Sequence, residues 1–541
     1  MVKNGILHYW LTYLTFIYTL AAISGCASVQ SPTGGPRDSV SPKIIKETPE
    51  NLTRNFSSKS IQLEFDELIK LNNETTEISV SPDVERFPNL KIRKSVLDIT
   101  FQDTLEKNTT YTINFGKAIG DVNENNLLKN YTYVFSTGNT IDSLTLSGSV
   151  KSTLSKEKSD ITVFILPVSR DSLFGKKKAS IFTTTDSSGN FKLEHLKENS
   201  YYVYALKEEG QGDRIYNSPN EEIGFLSDTI ILNKNISGIE LQTFKESPQK
   251  LGIKDRKIEN DGRISLILNR PAIDPGIKIL SPSNAETTKI TEFTPTLDTA
   301  MIWVPDMTFD SLEVALLDQD ISIDTITLRR NKRDSYTHDV SLITNLSANK
   351  LRPGSDLIIK ASGPVTSVDP AKFILLQDSV RTSGLTVSKV TGTNRDIMVK
   401  FPWRTKRNYI INLAEGAITD IYGAKSKPST INMTLDELEN YGNVTLKIKI
   451  PDSSSYLVEM LRDEKVIKTE KVPETGKVDF LNFPTGKYRF RIIYDSNKNG
   501  KWDTGNVRER RQPELIWEYD KDITLRPNWD IEEAIIVPKA E

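Results

Sequence analysis

Tyr111-Thr-Ile-Asn-Phe-Gly-Lys-Ala-Ile-Gly-Asp121 sets the fold. Tyr111, Ile113 and Phe115 alternate with Thr112 and Asn114, the period of a strand with one face in a core. Gly116-Lys117 then breaks the run before a second short apolar start. The same order returns as Tyr409-Ile-Ile-Asn-Leu-Ala-Glu-Gly-Ala-Ile-Thr-Asp420. With one extra residue, the Tyr, Ile, Asn, Ala, Ile and Asp recur in register. Each copy follows an apolar strand start, at Phe101 and Phe401, and leads on to another strand. Residues 43–138 and 347–440 therefore read as two copies of one module.

Working outward, period-two runs fill the chain: Ser60–Phe65, Leu97–Phe101, Tyr131–Phe135, Ile161–Ile165, Asn190–Leu193 and Val444–Ile450. Turn residues separate them every ten or so positions, which predicts β-sandwiches. No long amphipathic helix is readable. A second repeat aligns without a gap, Leu196–Tyr216 (LKENSYYVYALKEEGQGDRIY) on Phe483–Asp503 (FPTGKYRFRIIYDSNKNGKWD). Tyr201 falls on Tyr488, Val203 on Phe490, Leu206 on Ile493 and Glu208 on Asp495. Residues 143–243 and 442–538 are thus expected to be copies of another module. The stretch 248–345 is strand-like and matches neither sequence well.

These residues carry a resemblance. Thr110-Tyr-Thr-Ile-Asn-Phe115, Ile119-Gly-Asp-Val-Asn123 and Tyr133-Val-Phe-Ser-Thr-Gly138 resemble the bacterial Ig-like domain of S-layer proteins. The module with Asp186-Ser-Ser-Gly-Asn-Phe191 resembles the carboxypeptidase-regulatory, transthyretin-like sandwiches. The resemblance implies an all-β chain: Ig-like at 43–138, transthyretin-like at 143–243, an Ig-like sandwich at 248–345, a degenerate Ig-like repeat at 347–440 and transthyretin-like at 442–538. Such modules serve as spacers, binding domains and assembly subunits, so fold alone leaves the role open.

The N-terminus reads as an export signal. Lys3 precedes an apolar run from Ile6 to Ala22, and Ile23-Ser24-Gly25-Cys26 follows. That block resembles the bacterial lipobox, in which the cysteine takes a diacylglyceryl group and becomes the mature N-terminus. Residues 1–25 are then the signal peptide, and 26–42, rich in Ser, Pro and Gly, a lipidated flexible tether. The apolar run is short for a membrane span of about 20 residues. Cys26 is the single cysteine of 541 residues, so no disulfide or thiolate metal site is available. Lipobox, Ser31-Pro-Thr-Gly-Gly-Pro-Arg-Asp38 tether, Ig-like and transthyretin-like modules in that order resemble a family of Bacteroidota outer-membrane lipoproteins. The resemblance implies an acyl anchor in the outer membrane, on its periplasmic or its cell-surface face, and envelope or outer-membrane proteins as partners.

Composition excludes more than it selects. Lysine and arginine total 70 against 72 acids, a net charge of −2, so there is no electrostatic case for nucleic acid. Three histidines are present; His8 leaves with the signal, and His195 and His338 stand without catalytic context. No HExxH, phosphate loop or GxSxG occurs, which predicts a protein that is not an enzyme.

One loop rises above background. Asp495, Asn497, Asn499 and Asp503 occupy positions 1, 3, 5 and 9 of a short loop, with Gly500 at 6 and the Lys501 carbonyl at 7. Calcium takes six to eight oxygens, and this spacing wraps a loop around one. Position 12 is Asn506 rather than a bidentate glutamate, so the site is expected to be weak. The rival is an Asn/Gly-rich hairpin turn. The aligned loop of the earlier module has Glu208, Gly210, Gly212, Arg214 and Tyr216, and is expected to bind no metal. The aromatic residues around the last loop, Tyr494, Trp502, Trp517 and Tyr519, are read as core in preference to a binding patch.

A further pattern, Asp-Ser/Thr-aliphatic, resembles an O-glycan acceptor. It marks Ser39, Thr104, Ser143, Ser172, Thr229, Thr299, Ser311, Thr325 and Ser379. Turn-to-strand chemistry explains the same pattern equally. The leading expectation is a non-catalytic scaffold or binding arm in an envelope assembly, with outer-membrane insertion or export machinery as one setting. The alternative is a carbohydrate-binding or adhesive surface lipoprotein.

Overall fold

The computed structural model describes residues 38–153, 158–210, 212–218, 220–330, 333 and 335–540. The expected signal peptide, Cys26 and most of the expected tether lie outside the described residues. Within them the fold is all-β. Its two α-helices, Glu74–Glu77 and Ser283–Thr288, are a turn or so long, and no helix is long and apolar enough to cross a membrane.

Strands pair within five consecutive stretches. In the first, Ile44–Thr48, Ser60–Phe65, Val96–Thr100 and Asn89–Arg93 form one sheet in that order. Thr132–Ser136, Thr110–Asn114 and Ser79–Ser81 form the facing sheet. The alternation in Ser60–Phe65 puts Ile61, Leu63 and Phe65 inside, and Tyr111, Ile113 and Phe135 meet them from across. The Tyr111 and Phe135 rings stack at 5.4 Å. The Tyr111 hydroxyl accepts the Glu106 N–H at 2.9 Å, so the ring carries its own polar partner into the core.

The fourth stretch repeats this plan. Leu342–Thr344, Leu357–Ala361, Asp396–Lys400 and Thr386–Lys389 face Ser429–Leu435, Asn408–Leu413 and Phe373–Gln377. Tyr409 takes the place of Tyr111 and accepts the Arg404 N–H at 2.8 Å. The third stretch has the same order again: Ile253–Ile258, Ile264–Leu268, Thr299–Trp303 and Ile290–Phe293 against Pro275–Ser281, Ser311–Asp318 and Ile321–Arg329. Its strand Ser311–Asp318 buries Leu312 and Val314 in place of the tyrosine and isoleucine. Its strand order is thus that of the first and fourth stretches, although the sequence pattern of the first module is not repeated in it.

The second and fifth stretches share another plan. Leu144–Ser152 runs antiparallel to Asn190–Leu196 and parallel to Ile236–Lys245. Tyr441–Lys449 does the same with Lys477–Pro484 and Asp530–Ile536. In each a long strand, Asn199–Lys207 or Gly486–Asp495, pairs with one strand before it and two after it. The Tyr201 and Tyr488 hydroxyls each donate to the carbonyl four residues back, of Lys197 and Pro484.

The modules do not simply follow one another as an arm. Ser79 Oγ and Asn114 Nδ2 of the first module donate to the Ser180 and Phe182 carbonyls of the second, and Asn130 bonds Thr184. These side chains satisfy the free edge of strand Ile181–Thr184, which main-chain pairing leaves open. Arg395 grips Glu292 at 2.8 and 2.6 Å between the fourth and third modules. Arg352 donates to the Leu481 and Asn482 carbonyls between the fourth and fifth. The fifth also touches the second, closing modules two to five into a circuit.

Candidate functional site

The predicted cation loop leaves the end of strand Gly486–Asp495. Asp495 is 1% exposed. Its Oδ1 accepts the Asn499 N–H at 3.0 Å, and its Oδ2 accepts Ser455 Oγ at 2.8 Å and the Gly500 N–H at 3.3 Å. Gly500 sits at φ +78°, the left-handed turn that lets the chain reverse there. The Asn497 and Asn499 amides both donate to the same oxygen of Asp503, from Asn499 at 2.5 Å. Four of the five predicted ligands are thus brought together. Lys501 is exposed and joins them through its N–H, which donates to Asn499 Oδ1 at 3.0 Å. Two carboxylates and two amides suit a hard cation, but the same contacts also complete a self-satisfied turn.

Sequence reading missed Glu514. Its carboxylate is buried, accepts the Ser496 N–H and hydroxyl at 2.8 Å through Oε1, and accepts the Asp503 N–H at 3.0 Å through Oε2. It ties both ends of the loop together from just before strand Ile516–Glu518. Position 12 of a helix-flanked loop gives no reason to look that far along the chain. Tyr494 and Tyr519 are buried in the module's core and Trp517 packs against it. Trp502 is half-buried and donates its Nε1–H to the Glu514 carbonyl at 2.9 Å.

The sister loop carries an acidic cluster of its own. Glu208, Asp213 and Glu221 each place one carboxylate oxygen within 4.8 Å of the others. Burial pushes the Glu208 carboxyl above its usual range. Arg214 does not intrude: its guanidinium leaves the loop, pairs with Glu77 of the first module and lies 3.7 Å from the Phe182 ring centre. Asp213 and Glu221 escaped notice because neither aligns with a ligand position of the later loop.

Both loops reach another module with an arginine. Beyond Asp503 a small hairpin, closed by Asn506–Arg511 main-chain bonds of 2.7 and 2.9 Å, docks on the second module. Thr504 Oγ1 donates to the Lys245 carbonyl at 2.5 Å, the Val507 N–H to Glu246 Oε1 at 2.6 Å, and Gln512 Nε2 to the Phe225 carbonyl at 2.7 Å. Arg510 stacks 3.8 Å from the Tyr202 ring centre and donates to the Tyr204 hydroxyl at 2.8 Å.

Of the marked Ser/Thr positions, Ser39, Thr104, Ser143, Ser172, Thr229, Ser311, Thr325 and Ser379 are exposed. Thr299 is half-buried in a strand, and its hydroxyl donates to Asp298. Asp298 also receives the Thr294 and Thr296 hydroxyls; burial works against its charge, but these three bonds hold its carboxyl low. There the pattern is turn chemistry. His195, at φ +57°, sets Nδ1 3.3 Å from the Asp142 carbonyl, and His338 stacks on Tyr422 at 3.8 Å. His195 borders a cleft of about 510 Å3 between the first two modules, lined by Thr110, Thr112, Thr132 and Asn130 on one side and Lys197 and Tyr201 on the other.

Against known proteins, one family model decides the first module. Residues 38–137 match the bacterial Ig-like domain. No curated protein matches the chain. Among solved structures, the Bacillus anthracis TIE protein is 10% identical, over 99% of this chain and 79% of that one, with a TM-score of 0.14. The S-layer protein rSbsC is 11% identical over 90% and 68%, with a TM-score of 0.15. The Bacillus cereus major pilin subunit BcpA is 12% identical over 73% and 99%, with a TM-score of 0.13. Scores this low give no shared overall arrangement.

Proposed function

We propose that this chain is a non-catalytic, lipid-anchored scaffold of the outer membrane that presents a multi-module body to envelope or outer-membrane proteins. One observation supports the reading above others. Several buried or half-buried charges and side-chain amides are spent between modules: Arg214 on Glu77, Arg395 on Glu292, and Asn114 and Asn130 on a neighbouring strand edge. Side chains so committed tie neighbouring modules to one another, which is what a scaffold needs. The Ig-like match at 38–137 agrees with a structural role. Cys26 supplies the anchor in this reading: two or three acyl chains, at about 0.8 kcal/mol per buried CH2, hold a protein stably on a membrane. The test is Cys26→Ser. It should abolish acyl labelling and release the protein from the membrane fraction; labelled, membrane-bound mutant would defeat the anchor.

Calcium at Asp495, Asn497, Asn499, Lys501 and Asp503 belongs to the same proposal, as a structural ion that stiffens the loop, with Glu514 behind it. The exposed Asp-Ser/Thr positions are proposed glycan acceptors, Thr299 excepted. A second reading, glycan binding, is favoured by the polar cleft between the first two modules, whose threonine and asparagine side chains suit hydroxyl-rich ligands. Glycan-array retention that is lost on Thr112→Val would support it.

A further inference from the structure

The hairpin Thr504–Gln512 rests on an unusual surface. The sandwich core of the second module lies on one face of its large sheet, around Val163, Val203 and Leu241. The opposite face is also apolar and rich in aromatics, with Phe164, Tyr204, Phe225 and Phe244, and Val507 of the fifth module completes that cluster. Gly505 passes so close to Phe244 that an added Cβ would stand 2.4 Å from the ring.

We propose that residues 504–512 form a releasable strap. Closed, it holds modules two to five as a circuit; released, it lets the fifth module swing away and uncovers the aromatic face of the second. The reason is the kind of grip. Among the described residues no strand pairing joins modules two and five, and the strap adds one aliphatic side chain, Val507, to the cluster. Its remaining hold is a handful of hydrogen bonds and the Arg510–Tyr202 stack. Elements with few buried apolar contacts open locally at low free energy, well below that of global unfolding. The joint between modules one and two differs. There Arg214 is buried against Glu77, and Lys178 donates to the carbonyls of Thr75, Thr76 and Ile78.

The test uses the full chain carrying Cys26→Ser, spin-labelled at Lys234→Cys and Lys468→Cys, with Gly505→Val and, separately, Arg510→Ala. Electron-electron resonance should show a narrow distance distribution with the native strap and a longer, broader one in both variants, with the far-UV spectrum unchanged. In the native chain, the Val507 and Arg511 amides should exchange with deuterium at least tenfold faster than those of Ile492 and Ile493. An unshifted, narrow distribution in both variants overturns the proposal, because the other junctions then hold the circuit alone. Strap amides as slow as those of the strand overturn it as well. If Gly505→Val fails to fold, Arg510→Ala and the exchange rates decide.

Discussion

Arg510 donates to the Tyr204 hydroxyl at 2.8 Å across 306 residues of chain, and the sister arginine, Arg214, reaches Glu77 across 137. The two loops occupy the same place in their modules, after strands Gly486–Asp495 and Asn199–Lys207. Each uses an arginine to reach a neighbouring module, but from different repeat positions: in the alignment Arg214 falls on Lys501, so the two joints arise independently within one sandwich plan.

Arg214→Met should destabilise the junction of the first two modules by about 1 to 3 kcal/mol, because it leaves the half-buried Glu77 carboxylate with the Lys117 N–H but without its guanidinium partner. Chemical denaturation should show it as a fall in midpoint. A change below about 1 kcal/mol would mean water already serves Glu77.

Tyr111→Phe and Tyr409→Phe should each cost about 1 to 2 kcal/mol. Each leaves one main-chain N–H, of Glu106 or Arg404, without its acceptor. The sites lie in different modules, so the double variant should lose the sum of the two. Unequal losses would show that the two copies use the tyrosine differently.

Lys178 gives a pH signature. Burial pushes its amine down to about 8, and the Arg214 guanidinium adds to the effect. A lysine with a depressed folded pKa is penalised while charged. The penalty is complete below about 8 and is relieved as pH rises toward its ordinary value of about 10.4. Melting temperature of the native chain, relative to Lys178→Met, should therefore rise between pH 8 and 10. A flat difference would mean that the three carbonyls around the amine fully offset its burial.

Calcium should raise the melting temperature of the fifth module within the full chain. At about 100 times Kd the gain is roughly 2.7 kcal/mol. Asp495→Ala should remove the shift and Glu221→Gln should leave it. The reverse result would assign the ion to the sister loop, and no shift at all would leave both loops as turns.

The strands were legible because alternation is local. Tyr111, Ile113 and Phe115 announce a buried face within five residues, and Tyr409 repeats it. At 248–345 an Ig-like sandwich was expected, but its repeat relation to the first module was not legible, since Leu312 and Val314 fill the same core positions without a tyrosine or its hydrogen bond. Asp495, Asn497, Asn499 and Asp503 could be brought together from spacing alone. Glu514, Asp213 and Glu221 could not, because they enter from outside the repeating positions. The inter-module joints were invisible for a plainer reason: Arg214, Arg395 and Arg510 are ordinary loop or strand-end cations until their distant partners are in place.

The scaffold reading is tested most directly by recovering the lipidated full-length protein from detergent-solubilised outer membranes under mild conditions and identifying what accompanies it. The account predicts an outer-membrane or envelope protein in near-stoichiometric amount, retained by the native chain and lost when Arg214→Met loosens the body. Recovery of the native chain alone from intact outer membranes, with no envelope protein bound in any such amount, would contradict it.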